Sequence, residues 1–248
     1  MTISKFFTLT TILFAAFSFV SCSSDDDDDE IEKEIVVENS EYVDLGLPSG
    51  TLWATHNVGA NKPEEYGGYF AWGETKPKST EMYTKEWTDW NDYKWAKKGS
   101  SSSDPYKVTK YCMNSEYGIV DNKMELDPED DAATVNCGSN WCMPSMEQME
   151  ELLNPDYTTT QWTALNDVNG LLVTSKKNGK SLFLPAAGAL TVYWPDESIG
   201  KNGLYWTRSL CSDLSIPAYN VLISDEGIVW SGRQRSFALS VRPVRAKK

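Results

Sequence analysis

The chain opens with an unbroken apolar run, Phe6 to Val20, behind the lone charge of Lys5. Beyond residue 41 the apolar positions fall into short groups separated by Gly, Pro, Asn and Asp, a pattern that predicts short strands joined by turns. Tyr42 to Ala54 reads as two strands around Pro48-Ser49-Gly50. Leu171 to Thr174 and Ser181 to Leu184 read as paired strands joined across Lys177-Asn178-Gly179-Lys180, because an Asn-Gly pair takes up the positive φ of tight hairpin turns. Further strands are expected at Tyr205 to Arg208, Ala218 to Ile223, Gly227 to Trp230 and Phe237 to Val241, with Asp225-Glu226-Gly227 turning the middle pair.

Only Asp127 to Leu153 reads strongly helical. Asp127 is a good N-cap, Pro128 suits the first helical position, and Glu129, Asp130 and Asp131 place negative charge at a helix N-terminus, so a short helix is predicted from Pro128 to near Gly138. Ser145 and Gln148 form a capping box, and Met146, Met149, Leu152 and Leu153 recur at helical spacing until Asn154-Pro155 ends the run. From Thr75 to Tyr111 the pattern dissolves into Lys, Ser, Pro and scattered aromatics, including Trp87, Trp90 and Trp95; a loop of that length inside a domain carries function or moves. No repeat of solenoid or propeller period is visible. The predicted class is α+β: two short helices with small twisted antiparallel sheets and long loops.

The apolar run is too short for a membrane span and reads as a targeting segment, residues 1–21. Its end, Phe19-Val20-Ser21-Cys22, resembles the lipobox of bacterial lipoprotein signal peptides. That resemblance implies cleavage before Cys22, fatty acylation of its sulfur and attachment to outer-membrane lipid. The next residues, Ser23-Ser24 and the acids Asp25 to Glu30, form a like-charged block that stays extended and solvated, so residues 22–41 read as a disordered tether. A Ser-Asp-rich run beside the acylated cysteine also resembles the export signal of Bacteroidota lipoproteins displayed on the outer face of the outer membrane.

Charge and composition narrow the function. The formal charge of −13 argues against nucleic acid, whose phosphates would be repelled; setting aside Lys5 and the six acids Asp25 to Glu30 takes −13 to −8, still acidic. Ten Trp and twelve Tyr in 248 residues supply a large aromatic core without metals. One His in the chain rules out a multi-histidine metal site, and no His-Glu-x-x-His, Gly-x-Ser-x-Gly or Gly-rich phosphate loop occurs. Carboxylates are plentiful, yet nothing in their placement singles out a glycosidase pair; the chain reads as a non-enzyme. Asp121, Asn122, Asp130 and Asp131, with Asp127 and Glu129, supply hard oxygens that suit calcium, and the same acids equally suit a helix N-terminus and solvent. With Cys22 acylated, Cys112, Cys137, Cys142 and Cys211 allow three disulfide connectivities.

Leu47 to Ala54, Tyr69 to Thr75, Asp127 to Ala133, Leu184-Pro185-Ala186-Ala187-Gly188 and Ser240-Val241-Arg242-Pro243-Val244 together resemble the Fibrobacter succinogenes major paralogous domain of Bacteroidota lipoproteins. The match runs from about Tyr42 to Val244, within a domain of residues 42–248. The resemblance implies a C-type lectin-like fold with its chain ends paired in one sheet and long loops carrying a ligand surface, with Arg242 structural. It also points to Leu210 to Ser236 as the variable, ligand-contacting region. Tyr193, Trp194, Asp213, Tyr219, Trp230, Arg233, Gln234 and Arg235 fall in or beside these late loops and strands and mix planar aromatics with fork-shaped donors, a set suited to sugar rings or a protein epitope. Two functions follow: a surface adhesin that binds a glycan or a surface protein, or a structural subunit of an outer-membrane assembly.

Overall fold

The computed structural model describes residues 41–78, 90–101, 104–191, 198–211 and 216–246. These belong to one unit, Ile35–Lys248; the other, Met1–Glu34, contains the apolar run and the acid run, which lie outside the described residues. Tyr42–Asp44 (β1) and Thr51–Ala54 (β2) pair antiparallel around a turn closed by Gly50 N–H to Leu47 O at 2.9 Å. Gly67 then has φ +73, and a Cβ there would lie 2.5 Å from the Val58 carbonyl oxygen, so the approach to Phe70–Ala71 (β3) requires glycine.

The stretch from Thr75 to Tyr111 departs from the expected long loop. Trp90–Asp92 forms a 3-10 turn, and Ala96–Ser101 (β4) pairs with Asp104–Val108 (β5). Hydrophobic alternation does not reveal this hairpin because it is held from inside by aromatic anchors. The Tyr93 hydroxyl donates to Trp72 O at 2.6 Å, Trp95 Nε1 donates to Gly73 O at 2.9 Å, and Tyr111 meets Trp72 edge to face. Residues 79–89, which include Trp87, lie outside the described residues.

The first helix also starts later than expected. Pro128–Asp130 is a separate 3-10 turn, the chain extends at Asp131, and Ala132–Cys137 (α1) follows. Asp131 is the N-cap, its carboxylate accepting from Thr134 N–H at 2.8 Å, whereas Asp127 makes no cap hydrogen bond. Two lysines explain this, because Lys110 and Lys123 both take the Asp127 carboxylate. The second helix, Met146–Leu152 (α2), follows the sequence pattern: Ser145 Oγ accepts from Gln148 N–H at 3.2 Å and Gln148 Oε1 accepts from Ser145 N–H at 2.9 Å. Ser145→Ala should cost about 1 kcal/mol, read as a lower midpoint in urea unfolding; an unchanged midpoint would mean that packing of Met149 and Leu152 alone holds the helix.

The remaining chain is sheet. Thr158–Leu165 (β6), Val168–Ser175 (β7) and Ser181–Pro185 (β8) form one meander. The β7–β8 hairpin is the expected one, closed over residues 176–179 with Gly179 at φ +73. β6 escapes the hydrophobic pattern because its middle is exposed Thr and Gln; it turns through Asn166 and Asp167, both at positive φ. Asn202–Leu210 (β9), Pro217–Ser224 (β10) and Gly227–Gln234 (β11) form a second meander, β11 at its edge and the β10–β11 turn at Asp225-Glu226. Ala238–Leu239 (β12) pairs with β3, and Val244–Ala246 (β13) pairs with β2, so the two ends of the domain share one sheet. The architecture is α+β, dominated by small antiparallel sheets with two short helices.

The β9–β11 meander separates two apolar clusters. Leu204, Trp206, Ala218 and Leu222 lie on one face, packed with Phe70, Trp72 and Tyr111. Tyr205, Val221, Ile223 and Ile228 lie on the other, packed with Trp53, Met149, Leu171 and Leu184. A strand covered on both faces needs no polar alternation, which is why Gly203 to Trp206 reads as a continuous apolar run.

Candidate ligand-binding site

The register of the second meander places Asn202 and Leu204 of β9, Leu222 of β10 and Arg233 of β11 on one face. The segment after β8 folds back over part of that face. Gly188, at φ +68, permits it, since a Cβ there would lie 2.8 Å from Ser198 Oγ and from Ile199 N. Between the sheet and this segment lies an open cavity of about 280 Å³, lined by Ala189, Thr191, Ser198, Asn202, Leu204, Leu222 and Arg233. Its wall is apolar on one side and carries hydroxyl, amide and guanidinium groups on the other, the mixture typical of small-molecule pockets.

Arg233 dominates the electrostatics of this cavity. It is partly buried, its Nε has no hydrogen-bond partner among the described residues, and burial pushes its pKa below the ordinary arginine value with no carboxylate to offset the loss of water. Arg235 also has unpartnered guanidinium nitrogens, but it lies in the core and lines no cavity among those described; three other arginines differ. Arg208 Nε donates to Glu125 at 3.0 Å, Arg242 donates to Asn57 Oδ1 and two carbonyls, and Arg245 lies 4.0 Å from the Tyr42 ring centroid. A second cavity, about 320 Å³ between Leu45 to Pro48 and Asp156-Tyr157, has no comparable buried group, since its cations Lys176 and Lys177 are both exposed.

The late residues expected to bind a ligand do not form one surface. Val221 pairs with Trp230, Tyr219 with Gly232 and Pro217 with Gln234, so Tyr219, Trp230 and Gln234 share one face of the meander while Arg233 sits on the other. Trp230 is 36% exposed and Gln234 is exposed, so that face is covered over Val221 and Ile223 but reaches solvent along β11. Arg235 must be corrected. It is fully buried, donates to Lys110 O at 3.1 Å and Tyr111 O at 3.2 Å, and lies 5.5 Å from the Trp72 ring centroid, because the chain turns inward after Gln234. Tyr193, Trp194 and Asp213 lie outside the described residues, as does Cys22. Thr191, Ser198 and Asn202 carry no motif. The one sequence signal for them is the polar Ser198 to Asn202 turn directly before an apolar strand.

The calcium set is corrected as well. Asp121 accepts from the N–H groups of Tyr111, Cys112 and Lys123, and Asp131 from those of Thr134 and Met143. Asn122 is exposed, and Asp130 faces away from these into a different cluster. Among the described residues the acids with ligand-like spacing are Asp127, Glu129 and Asp130, and Lys110 Nζ stands between them at 2.6, 3.8 and 2.6 Å. A side-chain ammonium occupies the place a metal ion would take. Burial pushes the Asp130 carboxyl up, but Lys110, Lys94 and Tyr111 outweigh it and hold it below the usual carboxylate range.

No disulfide joins Cys112, Cys137, Cys142 or Cys211. Burial pushes the half-buried Cys142 thiol up, leaving it protonated at neutral pH and weakly nucleophilic. No family model, curated protein or solved structure matches the chain.

Proposed function

We propose that this chain is a surface lipoprotein, anchored to the outer membrane through acylated Cys22, whose domain is a C-type lectin-like module that binds a glycan or a surface protein. The leader, the cysteine after Val20-Ser21 and the acid run support the anchor and its outward display. The pairing of β2 with both β1 and β13 supports the fold, since the resemblance implies paired chain ends. The observation that carries the binding reading is Arg233: a guanidinium whose buried Nε has no partner among the described residues, held by a strand at the wall of an open cavity. In a chain whose other buried polar groups are largely hydrogen-bonded, an uncompensated cation costs stability and is the kind of group a ligand satisfies.

The test is a glycan array and a pull-down of surface proteins with the chain from Ser23 onward. Specific capture that is weakened by Arg233→Ala and unchanged in EDTA is expected, because Lys110 already fills the acidic cluster. Silence on both, with the protein co-purifying with outer-membrane partners, would favour the second reading, a subunit of a surface assembly. What favours that alternative is the edge strand β11, which exposes Val229 at 55% beside Trp230.

A further inference from the structure

Resting on that binding reading, we propose that the cavity beside Arg233 takes a carboxylate-bearing ligand of about monosaccharide size, with the carboxylate on the Arg233 guanidinium. The charge count selects the class. Arg233 is the only cation among the described lining residues, and it balances one negative charge. A phosphate monoester, which approaches two negative charges at neutral pH, would meet the repulsion of a −13 chain without a second cation to offset it. A guanidinium also presents paired N–H donors in a fixed fork that matches the two oxygens of a carboxylate.

The rest of the wall describes the body of the ligand. Asn202 makes no side-chain hydrogen bond among the described residues, and Ser198 Oγ, which accepts from Ala189 N–H at 3.2 Å, retains its own proton to donate. Both suit hydroxyl or amide groups. Leu204 and Leu222 beneath them offer an apolar floor for a ring or short chain. A cavity of about 280 Å³ lies at the low end for ligand pockets, which excludes large occupants. Acidic sugars and acidic peptide side chains share this chemistry, and the experiment separates them.

The test is calorimetric titration of the chain from Ser23 onward with glucuronate, glucose, glutamate capped as its N-acetyl α-amide, and sulfate. Saturable binding of glucuronate or the capped glutamate, each a single carboxylate, is expected, with glucose and sulfate at least tenfold weaker; whichever carboxylate binds tighter identifies the source. Arg233→Lys keeps the charge but loses the fork and should weaken carboxylate binding at least tenfold. Asn202→Leu, which removes no internal hydrogen bond, should weaken it severalfold at an unchanged unfolding midpoint. Glucose binding as tightly as glucuronate, sulfate binding equally well, or an unaffected Arg233→Lys variant would each overturn the proposal. Asp196→Asn with Glu197→Gln, two acids adjacent in sequence to Ser198, should leave affinity unchanged; a tenfold gain would show that the chain's own acids are the occupants. Array capture of neutral glycans alone, insensitive to Arg233→Lys, would sink the carboxylate while leaving the binding function standing.

Discussion

Replacing Arg242 with alanine is expected to remove about 3–5 kcal/mol of stability, enough to unfold much of the population at physiological temperature. Arg242 is fully buried, and its guanidinium donates to Asn57 Oδ1 at 2.9 Å, Ala54 O at 3.1 Å and Phe183 O at 2.9 Å. Those acceptors belong to β2, the turn after it and β8, so one side chain joins the sheet of the chain ends to the first meander. Burial pushes its pKa down to about 10, still well above neutral, so the group folds as a cation held by oxygen dipoles and not by a carboxylate. Alanine would strand these acceptors without donors and open a cavity as well. Arg242→Met restores most of the volume but none of the donors, and should recover less than half of the loss. Urea unfolding of all three proteins checks this; an Arg242→Ala deficit below about 1 kcal/mol would show that water reaches those carbonyls at little cost.

The second large effect concerns Lys110. Lys110→Met leaves Asp130, 2% exposed, with only Lys94 at 2.8 Å and the Tyr111 hydroxyl at 2.7 Å, and leaves Asp127 with Lys123 alone. Breaking a buried ion pair from one side costs about 3–5 kcal/mol. The remaining partners place this variant at the lower end, about 2–3 kcal/mol at pH 7. Its pH dependence follows from the carboxylates. Lys110 and Lys123 hold Asp127 below its ordinary value, and Asp130 is held below as well. A carboxyl depressed in the folded state contributes stability that is complete above its unfolded pKa, near 3.8, and is lost as pH falls through the lower folded value. The deficit of Lys110→Met should therefore be largest at neutral pH and shrink below pH 4, where the acids become neutral in both proteins. Unfolding at pH 7 and pH 3 reads this directly, and a deficit independent of pH would mean that Lys110 acts only by packing its stem on Trp95 and Tyr111.

The two meanders show where local pattern suffices. The Asn178-Gly179 hairpin and the Ser145–Gln148 capping box form as their residues predict, because each is satisfied within a few residues of chain. The first helix shows the limit. Asp127, Asp130 and Asp131 are equivalent in pattern, yet Lys110, nearly twenty residues upstream, takes the first two and leaves the third to cap. The same competition ties up Asp127 and Asp130, two of the acids expected to suit calcium. Between Ala96 and Val108 the missing information was again distant: Trp72 and Gly73 anchor a hairpin whose first strand carries only Ala, Lys, Gly and Ser.

The sequence alone determined the α+β class, the short strands, the second helix and the acidic leader-proximal run, since these depend on spacing, turn chemistry and charge read locally. Only the tertiary structure decided which late residues face a ligand. Along a strand neighbours point to opposite faces, so Trp230 and Arg233 part company, and one turn further Arg235 drops into the core. Face and burial are properties of what packs against a strand, and that is set by residues far away in the chain.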